Sequence, residues 1–175
     1  IGCIARLSEQ KGLAYLLDAM SLVNQHDLTL FLVGDGELRD DLMDQVKNLH
    51  LQEKVRFLGY RSDVVECINS FDFLVSSSLY EGLSLNVIEA FMNGKTMVAT
   101  DIPGINEIIN KSNGILVPAK NPQALAQAIE ELARNPEKRA ILASQAREDY
   151  ESKYSYSIFL KNYRDFYQAI MKGQK

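Results

Sequence analysis

Short apolar runs alternate with segments of helical period along most of this chain, and that alternation leaves few architectures open. Residues Ile1–Leu7, Leu28–Val33, Val55–Leu58, Phe71–Val75, Thr96–Thr100 and Gly114–Val117 read as strands. Between the first two lies Leu13–Asn24, where Leu13, Leu16, Leu17, Met20 and Val23 recur at helical spacing. Helices also follow from the turn at Gly34-Asp35-Gly36-Glu37 to Leu49, from Val64 to Ser70, and from Ser84 to the stop at Gly94. A short helix is expected over Ile105–Ile109. Strand–helix alternation implies an α/β fold with a doubly wound parallel sheet of about six strands. From Asn121 the chain turns helical. Asn121-Pro122 and Asn135-Pro136 are start signals, a cap followed by a first-turn proline. A last helix from Tyr156 carries Tyr156, Phe159, Tyr163, Phe166 and Ile170 on one face. With 175 residues and no internal linker, residues 1–175 form a single domain.

The stretch with most chemistry is Ser78-Leu79-Tyr80-Glu81-Gly82-Leu83-Ser84-Leu85, running on to Glu89 and Gly94. A strand enters it and a helix leaves it. Ser84 is placed to cap that helix with its hydroxyl. Leu85, Ile88 and Met92 share one helical face and Val87 and Phe91 another, so burial against a sheet is expected. The amides of Leu83, Ser84 and Leu85 at the helix start favour an anion. Glu81 and Glu89 sit at the same mouth. A diphosphate on the amides with sugar hydroxyls on the carboxylates would satisfy both. Two carboxylates also suggest a glycosidase pair, but no second feature of such a site accompanies them and the anion-favouring helix start opposes it. Surface residues favoured by the helix dipole are the plain alternative.

Arg6 would project from the carboxyl end of the first strand, and Lys11 would stand at the entry of the next helix. Ligands of open α/β sheets bind outside that edge. Gly34-Asp35-Gly36 lacks the third glycine of a dinucleotide fingerprint, because Arg39 occupies its place. A tight strand-to-helix turn explains it better.

Composition narrows the partners. A net charge of −4 with no basic block speaks against nucleic acid, and no apolar run is long enough to span a bilayer. Cys3 and Cys67 have no metal or redox spacing and read as buried thiols of a reducing compartment. His26 and His50 fall near helix ends and are not assigned to chemistry. No Cys/His/carboxylate cluster has metal-ligand spacing, so no metal and no cofactor is expected. The opening Ile1-Gly2-Cys3, already inside a strand, is expected to belong to a longer polypeptide.

Glu81-Gly82-Leu83 followed by Glu89-Ala90 and Gly94 resembles the E-G-(F/L)-x-x-x-x-x-E-A-x-x-x-G signature of retaining group 1 (family 4) glycosyltransferases. These are related to glycogen and sucrose synthases. Ala5-Arg6-Leu7 with Lys11-Gly12 resembles their G-R-L-x-x-x-K-G motif, with Ala5 in place of the usual Gly. The G-D-G loop and the Gly104-x-x-Glu107 segment before a G-x-L-V strand also follow the pattern. The resemblance covers essentially the whole chain. It implies the Rossmann-like C-terminal, donor-binding lobe of a GT-B fold, with the final helix, 156–172, packing toward an absent N-terminal acceptor lobe. It implies transfer of a sugar, with retention, from a nucleoside diphosphate donor, a UDP-sugar before others, to an acceptor hydroxyl in polysaccharide or glycoconjugate assembly. Glu81 would then meet the sugar, and Glu89 the ribose. Arg6, Lys11 and the amides near Gly82 to Leu85 would meet the diphosphate. Tyr60 or Arg61 would lie near the base, a solvated turn being the alternative for both. Glu107 faces the cleft or lies on helix surface. The resemblance implies a cytoplasmic setting, with a peripheral position at the inner face of the membrane left open. An inactive nucleotide-sugar-binding module and a GT-B-type epimerase remain as other readings.

Overall fold

The computed structural model describes residues 1–25 and 27–173, with side chains described to residue 171. His26 lies outside the described residues. Six strands form one parallel sheet: β1 (Gly2–Ile4), β2 (Leu30–Val33), β3 (Val55–Gly59), β4 (Leu74–Ser76), β5 (Met97–Thr100) and β6 (Ile115–Val117). Their order is β3-β2-β1-β4-β5-β6, so the chain winds outward from β1 in one direction and from β4 in the other. The helices are α1 (Leu13–Leu22), α2 (Arg39–Asn48), α3 (Val64–Ser70), α4 (Leu85–Met92), α5 (Pro122–Arg134), α6 (Pro136–Asp149) and α7 (Tyr156–Gly173).

The inner strands β1, β2, β4 and β5 are largely buried on both faces, which is why they read as continuous apolar runs, whereas the edge strand β3 exposes Arg56 and Leu58. Successive side chains point to opposite sides. Phe73 and Val75 enter one core while Leu74 enters the other; Val98 likewise opposes Met97 and Ala99. The first core is closed by α1, α2, α5 and Leu142 of α6, the second by α3, α4 and Ala146 of α6. Cys3 and Cys67 are both free and buried, and burial pushes the Cys3 thiol up to about 12.

Strand ends are shorter than the apolar runs suggest. β1 ends at Ile4; beyond it the Ala5 amide donates to the Val33 carbonyl at the end of β2 and the Leu7 amide to the Asp35 carbonyl in the loop that follows. Gly34 makes that approach possible. At φ +134 it occupies a backbone region that side chains avoid, and a Cβ there would lie 2.0 Å from the Ala5 carbonyl oxygen. The helix expected over Ile105–Ile109 does not form. Ile102, Ile105 and Ile108 recur every three residues, all buried, and successive i to i+3 turns carry them into the core. Both Asn-Pro starts hold: the Asn121 side chain accepts from the Ala124 amide and Asn135 from the Lys138 amide. His50 follows α2 with φ 55.

The Asn110–Asn113 turn is tied to the end of α6 by a buried network. Asn113 donates to the Ile108 carbonyl and to Asp149, which also pairs with Lys153 at 2.5 Å. Burial works against the Asp149 carboxylate, but its Lys153 and Asn113 hydrogen bonds outweigh it and hold its pKa below the usual range. After a π-helical turn, Ser155 is extended (φ −63, ψ 152) and α7 starts in a new direction. The α7 stripe is largely open: Tyr156, Phe159, Tyr163 and Phe166 are 52–72% exposed. Its rings meet one another in tilted and edge-on pairs, with Phe159 and Tyr163 centroids 5.0 Å apart. No helix among the described residues is long and apolar enough to cross a membrane.

Candidate active site at the switch in strand order

Strand order reverses between β1 and β4, and the loops leaving their carboxyl ends diverge there. Such a switch point is where open α/β sheets place ligands. The loop after β1 carries Arg6 and, one short 3-10 turn later, Lys11. The loop after β4 carries Glu81. These loops meet: Lys11 Nζ lies 2.5 Å from Glu81 Oε1, joining residues 70 apart in sequence. Both side chains are well covered, 18% and 9% exposed. Ser78 also donates to Glu81 Oε1 at 2.9 Å, and Gln10 reaches Oε2 at 3.4 Å.

Arg6, Lys11, Asp35, Tyr60 and Arg61 line one cleft of about 430 Å³, bounded by Asn86 at the start of α4. Their circumstances differ. Arg6 is 73% exposed and makes an open pair with Glu37 at 3.2 Å. Arg61 is committed to Asp63 at 2.7 Å, and Tyr60 is 81% exposed. The Asn86 side chain donates to the Ile4 carbonyl and so fixes α4 to the end of β1.

At the start of α4 the expected side-chain cap is absent. Ser84 is the N-cap residue, but its hydroxyl accepts from no helix amide, and its own N–H donates to the Gly104 carbonyl at 3.2 Å. Ser84 is 5% exposed and turned into the fold, so its amide is withdrawn from the candidate anion site. Gly104 permits this approach: with φ +81, a Cβ on it would lie 2.3 Å from the Gly82 carbonyl oxygen. The amides of Gly82, Leu83, Leu85 and Asn86 have no acceptor among the described residues. A Cβ on Gly82 would meet nothing within 4 Å, so the space in front of this turn is open.

Only one face of α4 is buried, through Val87, Ala90 and Phe91. Leu85 and Ile88, expected to be covered, instead line a second cavity of about 690 Å³ between α4 and α7, together with Leu83 and Glu89. Partial burial with no compensating partner pushes the Glu89 carboxyl above its usual range. The two carboxylates thus occupy different surroundings: Glu81 is bonded to a cation of the first cleft, and Glu89 opens on the second cavity. Asn86 and Glu89 are three residues apart on α4, so the two spaces are neighbours at one helix start. Glu107 lies in the irregular turns after Gly104, where its Oε1 is 3.4 Å from the Gly104 amide.

Ser78, Gln10 and Asn86 were not singled out in the sequence. Ser78 had a local signal, a hydroxyl three residues before Glu81 in a loop. Gln10 had none, since its role depends on two loops meeting.

Residues 1–149 match the family model described as Glycosyl transferases group 1. The chain is a member of the group 1 glycosyltransferase family. The match ends where α6 ends. The chain is 32% identical over 173 residues to an uncharacterised glycosyltransferase of Methanocaldococcus jannaschii, covering 97% of this chain and 44% of that protein. It is 29% identical to the poly(ribitol-phosphate) α-N-acetylglucosaminyltransferase of Staphylococcus aureus, covering 97% of this chain and 35% of that protein. Among solved structures, Anabaena HepE in complex with UDP superposes with a TM-score of 0.91 at 27% identity, over 96% of this chain and 48% of that one. The same Anabaena protein has been solved with UDP-glucose. The group 1 domain described here therefore spans less than half the length of each of these relatives.

Proposed function

We propose that this chain is the donor-binding lobe of a retaining glycosyltransferase. The whole protein would move a sugar from a nucleoside diphosphate, UDP before GDP or ADP, to an acceptor hydroxyl in glycoconjugate or polysaccharide assembly. The observation that carries this reading is the meeting of Lys11 and Glu81 beside the open amides at the start of α4. A ligand seated there would place an anion between a cation and backbone donors, with a carboxylate adjacent for hydroxyl groups. The UDP and UDP-glucose complexes of the similar Anabaena protein support the choice of ligand.

In this reading Arg6 and Lys11 meet the diphosphate with the amides of Gly82, Leu83 and Leu85. Glu81 accepts from the donor sugar, and Glu89 from the ribose. The base lies toward Tyr60 and Arg61. Fixed cations and backbone dipoles aimed at the departing diphosphate stabilise charge as it develops, without a metal. The bond from the anomeric carbon to the phosphate oxygen breaks, the acceptor oxygen bonds to that carbon on the same face, and its proton passes to the leaving phosphate. The acceptor lobe is supplied by further polypeptide, against which the open stripe of α7 packs. Closure of two lobes would exclude water and complete the site.

The test compares thermal stability of the chain with UDP, GDP and ADP, with and without magnesium. A ligand at a hundred times its dissociation constant adds about 2.7 kcal/mol. A shift for one nucleotide, unchanged by magnesium, is expected. No shift for any nucleotide, in this chain and in the full-length protein alike, would sink the reading. Nucleotide release by the full-length protein without acceptor would point to an epimerase. Binding without transfer across donors and acceptors would point to a binding module.

A further inference from the structure

We propose that Ser78 and Gln10 are positioning residues for Glu81, and that together they determine which of its carboxylate oxygens is offered to the donor sugar. The inference rests on the reading of Glu81 as the sugar-contacting carboxylate. Oε1 accepts from both Lys11, at 2.5 Å, and Ser78, at 2.9 Å. Oε2 has only Gln10, at 3.4 Å, near the outer limit of a hydrogen bond. An ionised carboxylate has about four acceptor positions. Oε1 has used its two and Oε2 has not, so Oε2 is the oxygen with room for a hydroxyl.

Ser78 is built to hold this arrangement. It is 2% exposed, and its carbonyl accepts from the buried Thr100 hydroxyl at 2.6 Å, which fixes the backbone from which the Ser78 hydroxyl reaches Glu81. Gln10 divides its amide between Oε2 and the Tyr80 carbonyl, the latter at 3.0 Å. It can therefore yield Oε2 to a hydroxyl while still anchored to the loop. The loops are also joined independently of both side chains. The Leu79 amide donates to the Gln10 carbonyl at 2.8 Å, and Ser77 Oγ donates to the Lys11 carbonyl at 2.9 Å. Loss of the Ser78 hydroxyl, which also meets the Ser76 hydroxyl at 3.3 Å, or of the Gln10 amide therefore leaves the loops together and frees the carboxylate to turn.

The full-length protein would be titrated by calorimetry with UDP, GDP and ADP and with their glucose conjugates, and the pair that binds would be used. Ser78→Ala is expected to weaken the sugar conjugate about tenfold and Gln10→Ala about threefold, each leaving the free nucleotide within twofold, as loss of one aligned hydrogen bond implies. In a Glu81→Gln background, Ser78→Ala should add nothing further. Equal losses for conjugate and free nucleotide would overturn the inference, because they would mark a general disturbance of the loop. So would an undiminished Ser78→Ala effect in the Glu81→Gln background. If Glu81→Gln alone leaves the ratio of the two affinities unchanged, the sugar-contact reading falls and the positioning inference falls with it. If Glu81→Gln shifts that ratio and Ser78→Ala does not, the positioning inference alone is wrong. Absence of binding for every pair would remove both.

Discussion

Glu81 and Glu89 are one type of side chain held in two opposite ways on either side of the α4 start. Glu81 is nearly covered, yet it is supplied with a lysine, a serine and a glutamine. Glu89 is less covered but has lost water without gaining a partner, and its carboxyl is pushed upward by burial alone. The difference shows that exposure does not by itself decide whether a carboxylate is comfortable. Glu81 is built into the hydrogen-bonded fold, whereas Glu89 carries a burial cost that nothing offsets.

The most disruptive way to break this contrast is to take the partner from Glu81. Lys11→Met leaves a covered carboxylate without its cation, and breaking a buried pair costs about 3–5 kcal/mol, reduced here toward about 2 by the remaining exposure. Chemical denaturation reads that loss. The Lys11→Met/Glu81→Gln double variant should recover most of it, because no charge is then left alone; failure to recover would mean that Lys11 acts through packing. Glu81→Gln by itself should cost less, about 1 kcal/mol, since Lys11 keeps some access to water and Ser78 can still hydrogen-bond to an amide.

Glu89 should respond in the opposite direction. A carboxyl whose folded pKa is raised above its unfolded value favours folding below the unfolded pKa, and that contribution is lost as pH rises through the folded pKa. Glu89→Gln removes the titration. The variant should therefore be more stable than the parent at pH 7 by about half a kcal/mol, solvent having screened the rest. The gain should vanish near pH 4, as followed by denaturation across pH. Equal stability of the two at all pH values would place Glu89 with ordinary surface carboxylates. In the reading proposed above, the same variant binds nucleotide more weakly, so stability and binding would move apart.

Arg6→Ala should have the smallest effect on stability, within about 0.5 kcal/mol, because its pair with Glu37 is open to solvent. Weakened diphosphate binding at unchanged melting temperature would separate Arg6 from Lys11, whose loss affects both.

The architecture was legible because the inner strands are apolar on both faces and the helices keep their period. Phe73, Leu74 and Val75 announce a doubly buried strand without reference to any neighbour. What escaped was set by distant parts of the chain. Ser84 has the chemistry of a cap, but the Gly104 carbonyl, twenty residues on, draws its amide away from the helix mouth. The isoleucines of Ile105–Ile109 suit a helix, yet their three-residue recurrence and the buried Asn113–Asp149 network favour turns. The outer face of α4 reads as core and instead lines a cavity with α7. Arg6, Lys11 and Glu81 were each visible as candidates, but the bond from Lys11 to Glu81 is a product of topology and has no local signature.

That topology also fixes when the site can exist. β1 and β4 are joined by a single register pair, Gly2 with Leu74, and everything from α1 to α3 lies between them in sequence. Closing so long a loop is slow relative to forming the neighbouring β1–β2 unit. As the chain is made from the amino end, β1, β2 and β3 are all added before Glu81. Lys11 must then wait without its partner, and its bond to Glu81 cannot form until β1 and β4 have met.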